Sequence, residues 1–134
     1  MKKKLSRSKI VKKLDAEFSR YIRLKNADHN GYVKCYTCKR VKHYKDSMQC
    51  GHFMSRRFYV TRWSEDNCRP QCYGCNVHSQ GRSYEFALNL NKEYGYDIAI
   101  ELLQLSKETV KFSTAELLEK IEYYKVLNKG FNID

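Results

Sequence analysis

Apolar residues between positions 8 and 27 recur three and four apart: Ile10, Val11, Leu14, Phe18, Tyr21 and Ile22, with Lys and Arg between them. One apolar stripe on an otherwise cationic segment predicts an amphipathic helix. Asn30-Gly31 then signals a turn. From Tyr32 to Gln80 the helical period is lost. Short aromatic and β-branched runs alternate with Cys, Gly and polar residues, which predicts short strands and tight knuckles. Helical spacing returns at about Ser83, carried by Tyr84, Phe86, Ala87, Leu88 and Leu90, with Gly95 as the stop. A second helix is expected from Asp97 to about Ser106. A third begins at Ser113, which has capping-box spacing to Glu116, and runs to about Asn128 with Gly130 just beyond. Leu117, Leu118, Ile121, Tyr124 and Leu127 form its expected buried stripe. The pattern implies an α+β, mainly helical chain with one domain over 1–134. A basic N-terminal helix (1–30) precedes a knuckle-and-strand core (31–82) and C-terminal helices (83–134).

The 134 residues suffice for one modest core, and 42% apolar content with a single proline excludes a disordered or collagen-like chain. No apolar run approaches the roughly 20 residues that cross a bilayer. The basic N-terminus is not followed by the apolar stretch of a signal peptide, so a cytoplasmic location is expected.

The net charge of +11 is unevenly spread. Residues 1–30 carry ten Lys/Arg and three Asp/Glu, residues 31–82 carry the same numbers, and residues 83–134 carry six and nine. A polyanion would be drawn to the first two segments and not the third, as a nucleic-acid footprint requires. Solubility alone is the plainer explanation of such a surface.

Cys35-Tyr-Thr-Cys38 and Cys72-Tyr-Gly-Cys75 are two CxxC pairs. Each can place two thiolates on one ion, and together they complete the closed tetrahedral shell of a structural Zn²⁺. A redox CxxC, packed reduced thiols and an iron–sulfur cluster are the competing readings. Cys50 and Cys68 are left as small buried residues.

Between the pairs lie Gln49-Cys50-Gly51-His52-Phe53 and Arg62-Trp63-Ser64-Glu65-Asp66-Asn67, and Asn76 follows the last cysteine. The order resembles that of HNH-type ββα-metal (His-Me finger) nucleases. Cutting a phosphodiester needs a base for water and a cation for the leaving oxygen. Neutral His52 suits the first role, and an Asn76 oxygen on Mg²⁺ or Mn²⁺ suits the second. Asn67 is read as holding the backbone of the His-bearing loop. His52 could instead be an ordinary histidine, and Asn76 a helix cap. Arg56, Arg57, Arg62, Arg69 and Arg82, with His78 and the helix lysines Lys12 and Lys13, are candidate phosphate contacts.

The words CYTC, CGHF, RWSEDN and QCYGCNVHSQGR, in this order, resemble the phage NinG (Rap) recombination endonucleases over roughly residues 10–95. The resemblance implies a phage or prophage protein of the bacterial cytoplasm. Such a protein would cut branched DNA, Holliday junctions and D-loops among them, with Mg²⁺ or Mn²⁺, alongside other phage recombination proteins. Asn directly after the last zinc cysteine is also similar to the endonuclease VII group, which implies His52 as base and Asn76 as metal ligand. Such enzymes often carry Asp one or three residues before the His, where this chain has Gly51 and Gln49. Gln49 could offer an amide oxygen, and Glu65 is the alternative carboxylate. A junction takes two cuts, so a homodimer is expected, with the C-terminal helices as its interface or as closure of the monomer core. A non-catalytic zinc-containing nucleic-acid-binding module and a homing- or restriction-type HNH nuclease stay open beside this reading.

Overall fold

A computed structural model describes residues 4–133. Helix α1 (Arg7–Lys25) opens at Ser6, whose side chain accepts from the Lys9 N–H, and buries Ile10, Val11, Leu14, Phe18 and Ile22. It closes short of residue 27 because Asn26 Nδ2 bonds back to the Ile22 carbonyl and Ala27 already bridges to Val33. Strands β1 (Tyr32–Lys34) and β2 (Val41–His43) form an antiparallel hairpin with the first CxxC pair in its connection. The preceding turn uses Gly31 at φ +87°, where a side chain would also meet His43.

Strand β3 (Met48–His52) pairs antiparallel with β4 (Cys68–Cys72), in a register that sets Met48 opposite Cys72 and His52 opposite Cys68. Pro70 lies inside β4 without breaking the ladder. Its carbonyl accepts from Tyr36 N–H, and in an antiparallel strand a residue's N–H side is its C=O side, so the missing donor faces away from β3. The β3–β4 connection holds a short helix α2 (Tyr59–Arg62) and a 3₁₀ turn at Glu65–Asn67. A single π-helical turn, Gly74–His78, follows β4 and contains Cys75 and Asn76.

Helices α3 (Ser83–Tyr94), α4 (Ile98–Ser106) and α5 (Thr114–Lys129) complete the chain. Gly95 ends α3 at φ +78°, Asp97 caps α4, and Ser113 and Glu116 form both halves of the capping box of α5. The buried stripe of α5 is Leu117, Ile121, Tyr124 and Asn128, with Leu127 partly covered. Leu118 departs from the expected stripe and is exposed. The buried positions follow steps of four, three and four, which puts residue 118 about 100° round the helix. Asn128 Nδ2 donates inside the stripe to the Glu17 carbonyl and carboxylate, while its buried Oδ1 has no hydrogen-bond partner among the described residues.

Three apolar clusters result. The largest joins α1 to α5 around Trp63 and Cys68, so α5 closes the core against the N-terminal helix. A second surrounds the four CxxC cysteines with Leu24, Val33, Tyr44 and Met48. The third lies between α3 and α4. Among the described residues, no helix is long and apolar enough to cross a membrane.

Candidate active site and metal centre

The hairpin connection and the end of β4 bring Cys35, Cys38, Cys72 and Cys75 together, with all four sulfurs within 4.8 Å of one another. Cys38 and Cys72 sulfurs are 3.6 Å apart. That is far beyond a disulfide bond and close to the ~3.8 Å edge of a tetrahedron with metal–sulfur arms of about 2.3 Å. The group can therefore hold one Zn²⁺. Burial works against ionisation of Cys35, but N–H groups of Cys38, Cys72 and Thr37 outweigh it and hold that thiol at about 6. Burial pushes Cys38 up to about 12. Crowded buried thiolates need a compensating charge, which a dication supplies.

The sheet leads from this centre to an open cleft of about 550 Å³. Asp15 of α1, Gln49, Cys50 and His52 of β3, Arg56 of the following loop and Asn76 of the π-helical turn line it. His52 Nε2 lies 2.9 Å from the Arg62 carbonyl. A carbonyl can only accept, so Nε2 carries the proton of the neutral ring and Nδ1 keeps its lone pair. Burial is the main force holding His52 below its usual 6.5, assisted by the nearby Arg56 charge and opposed by the Arg62 carbonyl and by Asp15. The imidazole is thus neutral at pH 7, as a proton acceptor must be.

Asn67 is fully buried, and its whole amide is used on backbone. Oδ1 accepts from Met54 N–H at 2.8 Å, and Nδ2 donates to the Met54 and Thr61 carbonyls at 3.0 and 3.1 Å. It fastens the loop that follows His52. Asn76 Nδ2 donates to Gln49 Oε1 at 2.6 Å, which leaves Asn76 Oδ1 on the cleft wall without a partner among the described residues.

Gly51 explains why no carboxylate precedes His52. A Cβ there would fall 2.7 Å from Gln71 Cδ and closer still to Oε1. Gln71 cannot yield, because it is fully buried and its Nε2 is bonded to Thr37 Oγ1 and the Gly81 carbonyl.

Several expected residues lie elsewhere. Glu65, the alternative carboxylate, lies away from the cleft. It accepts from Tyr21 at 2.8 Å and Lys25 at 2.9 Å and lines a separate pocket with Arg69 and Glu93. Arg69, expected as a phosphate contact, lies outside the cleft as well. It is buried, paired with Glu93 at 2.8 Å and bonded to Tyr94. Arg62 is spent on Asp15, and Arg57 stacks over Phe58 beside another pocket. His78 is exposed against Tyr73, and Arg82 is exposed near Glu85. Lys12 and Lys13 are exposed on α1. Of the basic candidates, Arg56 alone lines the His52 cleft.

The cleft also depends on Asp15, which no motif in the sequence marks. Arg62 Nε and Nη2 donate to its two oxygens at 3.1 and 2.6 Å, and Trp63 Nε1 donates at 3.0 Å. These bonds fix peptide 62, whose carbonyl holds His52. The available signal is that Asp15 is one of only two acidic residues, with Glu17, on a strongly cationic helix.

Comparison with known protein families matches residues 1–132 to the family described as Bacteriophage Lambda NinG protein. No curated protein and no solved structure matches.

Proposed function

The chain belongs to the bacteriophage lambda NinG family, and on that premise we propose that it is a metal-dependent, structure-specific DNA endonuclease of recombination intermediates, its water activated by His52. The observation that carries the reading is the 2.9 Å contact of His52 Nε2 with the Arg62 carbonyl. It selects the tautomer whose Nδ1 can take a proton, on a ring that burial keeps neutral.

His52 accepts the proton of the attacking water and Arg56 draws the phosphate into the cleft. Asp15 and Asn67 do not touch the reacting atoms. They hold the Arg62 peptide and the 53–61 loop against which His52 is aimed. Gln49 and Asn76 offer amide oxygens that suit a hard cation such as Mg²⁺ or Mn²⁺, which when bound stabilises charge on the leaving oxygen. Both ligands are neutral, and Asp15, a carboxylate lining the cleft, is already paired with Arg62. The negative charge for such an ion comes largely from the scissile phosphate, so the ion binds with DNA rather than before it. The family premise and the cationic N-terminal segments support DNA as substrate. Two cuts per junction call for a dimer at work.

The pairing of Asp15 also favours a second reading, a zinc-stabilised module that binds branched DNA without cutting it. Cleavage of a four-way junction, D-loop, flap and linear duplex, with and without Mg²⁺ or Mn²⁺, separates the two. Branched substrates are expected to be cut, and His52→Ala to lose roughly 10²–10⁴ in rate with junction binding retained. No cutting of any substrate, or normal cutting by His52→Ala, overturns the catalytic reading.

A further inference from the structure

Cys50 and His52 stand two apart on β3, so their side chains share one face of the sheet. Cys68 is the cross-strand partner of His52 and points to that same face. The two sulfurs and an imidazole nitrogen lie within 4.8 Å of one another. The group is separate from the four-cysteine centre, which uses the opposite end of the ladder. Cys68 is fully buried behind it, whereas Cys50 and His52 line the cleft and give access from solvent.

We propose that Cys50, His52 and Cys68 form a second metal site, selective for a thiophilic dication such as Zn²⁺, and that its occupation switches the cleft off. Two thiolates and an imidazole are the ligand set that zinc takes with one position left open for water. Mg²⁺ and Mn²⁺ prefer oxygen and are excluded by the same donors. Binding displaces one proton from each thiol to the solvent. It also takes an imidazole nitrogen of His52. If the ion takes Nε2, the proton there moves to Nδ1, which loses its lone pair as the ring leaves the Arg62 carbonyl, and if it takes Nδ1, that lone pair is bound to the metal. Either way His52 can no longer accept a proton from water. Metal binding stands by itself, and the inhibitory consequence rests on the endonuclease reading above.

The test is the zinc content of the full chain, carrying its structural ion and dialysed against buffered micromolar Zn²⁺. Two zinc ions per chain are expected in the native protein and one in both Cys50→Ala and Cys50→Ser, each with an unchanged circular dichroism spectrum. In these variants the second ion should bind at least about 100-fold more weakly. One ion per chain in the native protein, or two in both variants, overturns the site. Junction cleavage in Mg²⁺ is measured alongside. Zn²⁺ should slow the native protein about tenfold or more, reversibly on mild chelation, and leave Cys50→Ala close to its zinc-free rate. Equal inhibition of both overturns the switch. A second ion lost in Cys50→Ala, with no cleavage under any condition, sustains the site and refutes the endonuclease reading instead.

Discussion

At one end of the β3–β4 ladder Cys72 pairs with Met48 beside four converging sulfurs, and at the other Cys68 pairs with His52 at the edge of an open cleft. The first end is closed. Its ligands are soft, mostly buried and complete in number, so an ion there has no free position and can only hold the fold. The second end is open and half-satisfied. His52 has one nitrogen engaged, Asn76 one amide atom engaged, and the Asp15 carboxylate on the cleft wall is taken up by Arg62. One two-stranded sheet thus carries a stability site and a chemical site, distinguished by which valences are left over.

Breaking the closed end should have the largest effect. Cys72→Ser removes a ligand whose centre contributes binding energy on the order of 10 kcal/mol to folding. The other links between the knuckles, Tyr36 N–H to the Pro70 carbonyl and Gln71 to Thr37, are ordinary hydrogen bonds worth about 1 kcal/mol each, so zinc and native circular dichroism are expected to be lost together. A folded, zinc-free Cys72→Ser protein would show the centre to be dispensable.

The space between the ends can be tested at Gly51. Gly51→Asp drives a charged side chain into buried Gln71 and should cost about 3 kcal/mol or more in urea unfolding. Adding Gln71→Gly should recover part of that loss, because the obstructing side chain is gone. If the single variant is as stable as the native protein, Gln71 is not what excludes a carboxylate before His52.

These contrasts also mark where the sequence was readable. The stripe of α1, the Gly95 stop, the Ser113–Glu116 box and the paired CxxC spacing are local patterns, and each appears in place. Local spacing could not tell that Arg69 turns inward to Glu93, or that Glu65 faces Lys25. Both are decided by partners at least 24 residues away. Asp15 was hidden for the same reason, with Arg62 lying 47 positions along the chain. Cys68 joins Cys50 and His52 only through the strand register.

Asp15→Asn probes the open end with little change of shape. It weakens the charge-assisted bonds that fix peptide 62, and misaiming His52 should slow junction cleavage on the order of 100-fold. Lost packing alone would do no more than that. The distinguishing readout is the acid limb of the pH–rate profile. Asp15 pulls the His52 titration upward, so its removal should move that limb to lower pH. A limb that stays put would confine Asp15 to scaffolding.

The smallest effect is on stability and follows from the same histidine. Burial holds folded His52 below 6.5, while the unfolded chain titrates near 6.5. Above that value both states are neutral and His52 contributes nothing to the pH dependence. As pH falls below it, the unfolded state takes up a proton that the folded state refuses, and the native protein loses stability until folded His52 also protonates. One group can cost at most about 1.4 kcal/mol per pH unit in that window. Carboxylates titrate below it, so the comparison is with His52→Gln, measured by urea midpoints between pH 7 and pH 5. The native protein should lose the more stability over that range. Parallel curves would mean that His52 is not held neutral by burial, and the open end would lose the feature that makes it a base at neutral pH.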